Sequence, residues 1–278
     1  MKKVNVYDLN ANVIKQIELP AVFETPLREE IIRRAVLAEE TWEKQPKGAY
    51  RWAGLETSAD YVGRKEAYKS LKNRGQARLP REFFGGGIPG RVRRIPSSVK
   101  GRRAHPPKPE KNIYEKINKK EHLLALKSAI AATSNEELVK KRGHKIEELQ
   151  MPLVVSFEKN EKVKAKDIYN FLTKLLPKEV ERASKKRGKN KKYPKSALFV
   201  LSNEERNIKL AGRNIKGCDA YCLDELKVKY FAPGAHIARL TIFSEKSLKE
   251  LDELLKNEDF IINLRRKMME KVIKNGFA

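Results

Sequence analysis

Three groups of residues in this 278-residue sequence could do chemistry: a glycine-rich hexapeptide, a pair of cysteines, and two dense runs of arginine and lysine. Gly85-Gly86-Gly87-Ile88-Pro89-Gly90 satisfies G-x-G-x-x-G, and Glu110 follows about twenty residues on, as in a dinucleotide site. That chemistry needs the motif between a strand and a helix, so that the helix N-terminus meets the pyrophosphate. Pro80 to Phe84 is too short and charged for a buried strand, and Arg91-Val92-Arg93-Arg94-Ile95-Pro96 is no amphipathic helix start. Cys218 and Cys222 stand C-x-x-x-C. His105, His122, His144 and His236 offer them no paired ligand spacing, so apolar packing in a strand is the better reading. His122, His144 and the pair Asp219 and Asp224 read as surface residues. No G-x-S-x-G elbow, P-loop or H-E-x-x-H occurs, and nothing sets a nucleophile beside a base. Catalysis, a cofactor, a metal and a small-molecule substrate are therefore not expected.

The cations are the informative group. The chain carries 61 Lys and Arg against 36 Asp and Glu, a formal net charge of +25. Such a charge repels itself unless an anionic partner neutralises it. Residues 1–40 are nearly balanced, with six basic and seven acidic side chains. Residues 61–111 hold fifteen basic and three acidic side chains, and residues 182–195 hold eight basic and none acidic. The first run is also rich in Gly and Pro. Its apolar residues, Leu79, Phe83, Phe84, Ile88, Val92, Ile95 and Val99, follow neither helical nor strand spacing. It is too poor in apolar side chains to fold on itself and suits an extended segment that orders between phosphates. Phe83 and Phe84 are either base-stacking platforms or packing anchors. The second run, Lys185-Lys186-Arg187-Gly188-Lys189-Asn190-Lys191-Lys192, reads as a basic loop against a phosphate backbone.

Membranes are the weaker anionic partner. No stretch approaches ~18 uninterrupted apolar residues. Asp8 and Asn10 interrupt the N-terminus, so no signal peptide is expected there. Two cysteines are too few for a secreted disulfide scaffold, which points to a reducing, intracellular home.

The elements that must hold these segments form an alternating pattern. Val4–Tyr7 and Val13–Ile17 predict a hairpin turning at Asn10-Ala11-Asn12. Thr25-Pro26 predicts a helix start, with Leu27, Ile31, Ala35 and Ala38 as its apolar stripe. Leu123, Leu126 and Ile130 mark a second helix, and Ile168, Leu172, Leu175 and Leu176 a third. Strands are expected at Leu153–Val155, Ala197–Leu201, Cys218–Cys222 and Ile237–Phe243. Ser247 with Glu250 predicts a capping box for a helix bearing Leu248, Leu251, Leu254 and Leu255. Phe260 to Ile273 reads as an amphipathic helix with Arg265, Arg266 and Lys267 exposed. The fold class is α/β, a mainly parallel sheet flanked by helices, with a long extended basic loop protruding from the globular body. The domain reading is a single globular domain over 1–278, a long extended loop over 44–112 inserted within it and suited to threading between phosphates, and a basic surface loop over 182–195.

The run Gly101-Arg102-Arg103-Ala104-His105-Pro106-Pro107-Lys108-Pro109-Glu110-Lys111, followed by Asn118-Lys119-Lys120-Glu121, resembles the archaeal and eukaryotic branch of the large-subunit ribosomal protein four family. So do Asn73-Arg74-Gly75-Gln76-Ala77-Arg78-Leu79-Pro80-Arg81 and Ala211-Gly212-Arg213-Asn214-Ile215-Lys216-Gly217. The likeness runs the length of the chain. It implies a structural ribosomal constituent in the cytoplasm that binds large-subunit ribosomal RNA, supports subunit assembly, and places a loop at the wall of the polypeptide exit tunnel. By position the loop tip falls near Lys72 to Gly90. Arg74, Gln76, Arg78 and Arg81 inherit the RNA-contact role, as do Arg102, Arg103 and His105 on the returning strand. Glu82 to Ile88 has no residue-by-residue match. An end near Ala278, without the C-terminal extension of eukaryotic members, favours the archaeal type.

Charge and resemblance together make Arg64, Lys65, Lys72, Arg74, Gln76, Arg78, Arg81, Arg91, Arg93, Arg94, Lys100, Arg102, Arg103, His105, Lys108, Lys185, Lys186 and Arg187 the candidate ribosomal RNA contacts. Expected partners are large-subunit ribosomal RNA, neighbouring large-subunit ribosomal proteins and the nascent polypeptide near the tip. Two other classes fit the charge: an RNA-processing or modifying enzyme with a basic RNA clamp, and a DNA-compacting architectural protein. Tightly bound cofactor would mark the first, and a preference for duplex DNA over structured RNA the second.

Overall fold

The computed structural model describes residues 2–85, 88–147, 149–157, 163–186, 188, 192–256, 262, 263 and 266. The chain divides into two units. One joins residues 1–44 to residues 114–278, and the other is Gln45–Ile113.

The first unit is built on one six-stranded sheet. β1 (Lys3–Tyr7) and β2 (Val13–Glu18) form the antiparallel hairpin that the period-2 pattern predicts. β5 (Leu153–Val155), β6 (Leu198–Leu201), β7 (Asp219–Cys222) and β8 (Thr241–Ser244) are parallel, in the order β2-β1-β5-β8-β6-β7, and β1 joins β5 in parallel. Strands covered on both faces should be apolar at every position, and β5, β6 and β8 are buried throughout. The pleat sends alternate residues to opposite faces. Val154, Leu198, Val200 and Phe243 face one core with α1 (Glu29–Trp42), α2 (Lys119–Ala132), α7 (Val228–Phe231) and α8 (Glu245–Lys256). Leu153, Val155, Phe199, Leu201 and Ile242 face the other, with α3 (Glu136–Lys141), α4 (Ala165–Leu175), α5 (Pro177–Ser184) and α6 (Arg206–Gly212) around it.

Several local expectations shift. Thr25 does not cap α1. Its hydroxyl donates to the Val22 carbonyl at the end of a 3₁₀ turn, and the helix begins at Glu29. The buried stripe is Ile32, Ala35, Val36 and Ala38, while Leu27 is exposed. α8 starts two residues before Ser247. The Ser244 hydroxyl takes the cap and accepts from the Ser247 amide at 3.1 Å. Glu250 instead receives the Ser202 hydroxyl at 2.8 Å. β8 begins only at Thr241, because Ala238 sits at φ 60° and breaks the extended run. The amphipathic helix expected over Phe260 to Ile273, with Arg265 and Lys267, lies largely outside the described residues. Of it, Ile262, Asn263 and Arg266 are helical and exposed.

Two further corrections concern His122 and His144, which are buried. His122 Nε2 lies 2.7 Å from Glu39 Oε1, and the same carboxylate accepts the Val228 and Lys229 amides at 3.0 and 2.9 Å. One acid of α1 thus caps α7 and anchors α2. His144 Nδ1 lies 2.7 Å from Glu179 Oε1. A buried imidazole needs such a partner, and each histidine finds one far away in sequence.

The second unit contains no α-helix among its described residues. β3 (Arg81–Phe83) and β4 (Pro89–Val92) pair antiparallel, and Asp60 bridges to Arg81. The apolar spacing predicts no strand here. Backbone pairing supplies one, helped by Gly90, where a Cβ would come within 2.7 Å of the Glu82 carbonyl. Among the described residues only Ala59, Ser70 and Leu71 are buried in this unit. Lys69, Asn73, Arg94 and Lys100 adopt left-handed φ.

Candidate nucleic-acid interface

The glycine-rich hexapeptide joins β3 to β4 rather than a strand to a helix. It therefore lacks the helix N-terminus that a pyrophosphate needs. The carboxyl ends of β6 and β8, where open α/β sheets bind ligands, are closed by packing. Ser202, Ser244 and Ser247 are fully buried there. The Ser247 hydroxyl donates to the Val200 carbonyl at 3.0 Å and to the Ser244 carbonyl at 2.8 Å.

Titratable groups do converge near a cavity of 360 Å³ beside α4 and α5, lined in part by Glu179, Ser196 and Cys218. Their chemistry is inert. Burial pushes the Cys218 thiol up to about 12, so it carries almost no thiolate at neutral pH. Glu179 accepts from the Arg182 guanidinium, the Ser196 hydroxyl, the Lys145 amide and, by its position, the His144 ring. Burial alone would raise its pKa, but these donors, Arg182 foremost, bring it down to about 2. Such a carboxylate is a lock, not a general base. The Cys218–Cys222 run is a strand with both thiols buried, as the sequence predicts.

The lock has a measurable pH signature. Glu179 has a folded pKa below its ordinary 4.5, so the unfolded chain binds the proton first. Its stabilisation is complete above about pH 4.5 and lost as pH falls toward 2, about 3 kcal/mol in all. Burial likewise lowers the His144 pKa, so its contribution begins to fade as pH drops below 6.5. Urea midpoints of the parent chain should fall between pH 7 and pH 3, and Glu179→Gln should flatten the acid limb. Parallel curves for parent and variant below pH 4.5 would show that this carboxylate is not the acid-labile group.

The predicted contact residues behave differently. Arg64, Lys65, Lys72, Arg74, Arg78, Arg91, Lys100, Arg102, Arg103 and Lys108 are exposed. Among the described residues none of them has a carboxylate within salt-bridge distance. Gln76, Arg94 and His105 are exposed as well, Arg94 donating to the Leu55 carbonyl at 3.5 Å. Two residues are committed to the hairpin instead. Arg81 donates to the Gly90 carbonyl at 3.3 Å, and Arg93 pairs with Glu82 at 3.3 Å while donating to the Val99 carbonyl at 3.0 Å.

The second basic run is partly committed too. Arg182 serves Glu179, and Lys195 grips Asp219 through both oxygens at 2.9 and 2.7 Å. Asp219 is thus an internal partner rather than a free surface acid. Lys185 pairs with Glu181, and Lys186 lies 5.5 Å from the Tyr193 ring centre. Both are exposed, and Arg187 lies outside the described residues. Lys192 joins Arg33, Lys141 and His236 around a cleft of 900 Å³ in the first unit, a cationic site with no linear motif.

Aromatic exposure is what the sequence reading missed. Tyr50, Trp52 and Tyr68 are each more than half exposed within the cationic second unit, as is Phe84, which the sequence already singles out with Phe83. Phe83 is half-buried, with Lys69 Nζ 5.4 Å from its ring centre. The signal was present as Tyr50-Arg51-Trp52, an aromatic–cation–aromatic triplet. Unpaired cations and exposed rings within one unit offer contacts both to phosphates and to the faces of unstacked bases. Among the described residues no helix is long and apolar enough to cross a membrane, and no cluster of three His, Cys, Asp or Glu could hold a metal ion.

A profile of the ribosomal protein L4/L1 family matches residues 17–254. The chain is 41% identical over 263 residues to the large ribosomal subunit protein uL4 of Methanocaldococcus jannaschii, covering 90% of this chain and 98% of that one. It is 38% identical over 261 residues to the protein of that name in Haloquadratum walsbyi, with 90% and 98% covered. The corresponding protein of Haloarcula marismortui is 37% identical over 261 residues, with 90% and 99% covered. On this evidence the chain belongs to the ribosomal protein L4/L1 family.

Proposed function

We propose that the chain binds large-subunit ribosomal RNA chiefly through Gln45–Ile113, and that this binding supports assembly of the subunit. Membership of the family makes it a structural constituent of the large ribosomal subunit, not an enzyme. The segment around Lys72 to Gly90 would reach the wall of the polypeptide exit tunnel and meet the nascent chain. Neighbouring large-subunit ribosomal proteins would pack on the body.

The observation that carries the reading is the set of ten exposed, acid-free cations on a unit with almost no buried side chains. Each such cation releases a counterion when it meets a phosphate, and this provides affinity without sequence readout. Four left-handed non-glycine residues and the glycine-rich turns give the backbone a path that neither helix nor sheet would take. Specificity would come from RNA shape and single-stranded junctions.

The test is a salt titration of the full chain against a large-subunit RNA transcript. Replacing Arg64, Lys72, Arg74, Arg78, Arg91 and Arg102 together with Gln should reduce the slope of log K against log salt by about 4 to 5. An unchanged slope would remove these residues from the interface.

A further inference from the structure

The second unit holds a cleft of 720 Å³ whose walls come from two stretches far apart in sequence, residues 49–55 and residues 101–110. Gly54 lies among the lining residues, where the two stretches meet. It sits at φ +77°, and a Cβ there would lie 2.7 Å from Arg102 Cα and 3.0 Å from the Gly101 carbonyl. The two backbones can touch only because that position lacks a side chain. The side walls are apolar: Tyr50, Leu55, Pro106, Pro107 and Pro109. The rim is cationic, with Arg51, Arg102, Arg103 and Lys108 against the single acid Glu110, which Arg51 already engages at 3.3 Å. Tyr50 is held by its hydroxyl, which donates to the Glu56 carboxylate, leaving the ring 60% exposed.

From this geometry we infer that the cleft is a receptor for one unstacked RNA base, with Arg102, Arg103 and Lys108 on its flanking phosphates. Apolar lining suits a base face, and the proline rings and Tyr50 offer stacking surfaces that need no sequence readout. The volume lies inside the roughly 300–1,000 Å³ span of small-molecule sites, so a base with its ribose fits. Arg51 already engages the one acid of the lining, Glu110, so Arg102, Arg103 and Lys108 are left for the closely spaced phosphates of a polyanion. The inference rests on the reading of this unit as an RNA binder, shares only Arg102 with the six residues tested by salt, and is tested through Tyr50, which is not among them.

The probe is a 4-thiouridine-substituted large-subunit RNA transcript, photo-crosslinked to the full chain, with the crosslinked peptides mapped. Crosslinks should fall within residues 49–55 and 101–110, and millimolar AMP or UMP should not compete. In parallel, Tyr50→Ala should weaken binding of the transcript about tenfold, while Tyr50→Phe stays within about twofold and both keep the parent salt slope. That pattern separates stacking from charge. A steep parent salt slope with no crosslink at these peptides would overturn the base site while leaving the RNA-binding reading intact. Competition by the free nucleotide would reassign the site to a soluble ligand. Equal affinity for parent and Tyr50→Ala would also end the proposal.

Discussion

Excision of Gln45–Ile113, with a short Gly-Ser linker from Lys44 to Tyr114, is expected to leave a body that folds almost as stably as the parent. It should bind large-subunit RNA about a thousandfold or more weakly at physiological salt. The stability half follows from the cores. Neither hydrophobic cluster of the first unit contains a residue of 45–113. The cut ends are also already pinned to each other. The Glu115 amide donates to the Thr41 hydroxyl at 3.1 Å, and the Trp42 indole donates to the Glu115 carbonyl at 3.4 Å. A short loop therefore closes without strain, at a small entropic cost. The melting midpoint should move by no more than about 5 °C, equivalent to roughly 2 kcal/mol for a body of this size. The affinity half follows from charge: the excised unit removes all ten acid-free cations. Thermal melts and filter binding at two salt concentrations decide both halves. A shortened chain that stays folded and keeps parent affinity would move the interface to the body, where the cleft of Arg33, Lys141, Lys192 and His236 is the next place to look.

The sheet was legible because its signal is dense. Apolar runs such as Leu198-Phe199-Val200-Leu201 have one physical outcome, a strand covered on both faces. Helix starts were less so. Thr25-Pro26 is a proper start signal, but the 3₁₀ turn ending at Glu24 uses the Thr25 hydroxyl first. Ser244 and Ser247 are equally good caps, and what decides between them is how far β8 runs. His122 stands one turn before Leu126 on the buried stripe of α2, so helical spacing hinted at its burial. What spacing could not show is Glu39, 83 residues away, which makes that burial tolerable.

The interface divides in the same way. Net charge is a property of composition and reads directly from the sequence. Which cations stay free depends on where the few acids of the segment fall. Glu82 takes Arg93 and Glu110 takes Arg51, pairings set by a hairpin and a cleft that no periodicity announces. Exposure of Tyr50, Trp52 and Tyr68 was likewise hidden. In an irregular chain no repeat says which way a ring faces.

The largest single-residue effect on stability should come from Arg239, a 1% exposed cation in the stretch leading into β8. Its guanidinium donates to the carbonyls of Ser196 at 2.6 Å, Ala197 at 3.2 Å, Gly217 at 3.3 Å and Tyr230 at 3.3 Å, and pairs with Asp219 at 2.7 Å. One side chain thus gathers the entries of β6 and β7 and the end of α7. A Lys could not do this, because a single ammonium has neither the planar spread nor the number of donors. Arg239→Ala leaves a cavity, several underserved carbonyls and an acid with only Lys195 beside it. Breaking a buried, hydrogen-bonded charge pair in this way costs about 3–5 kcal/mol. The partner variant Asp219→Asn should cost less, since Arg239 keeps its carbonyls. The double variant Arg239→Ala with Asp219→Asn should fall short of the sum by about 1–3 kcal/mol, the coupling expected of residues in direct contact. The salt slope for RNA, measured well below the melting midpoint, should not move, because Arg239 is too buried to meet a phosphate. An Arg239→Ala chain that melts within a degree of the parent would show that the body holds its strand entries together without the guanidinium.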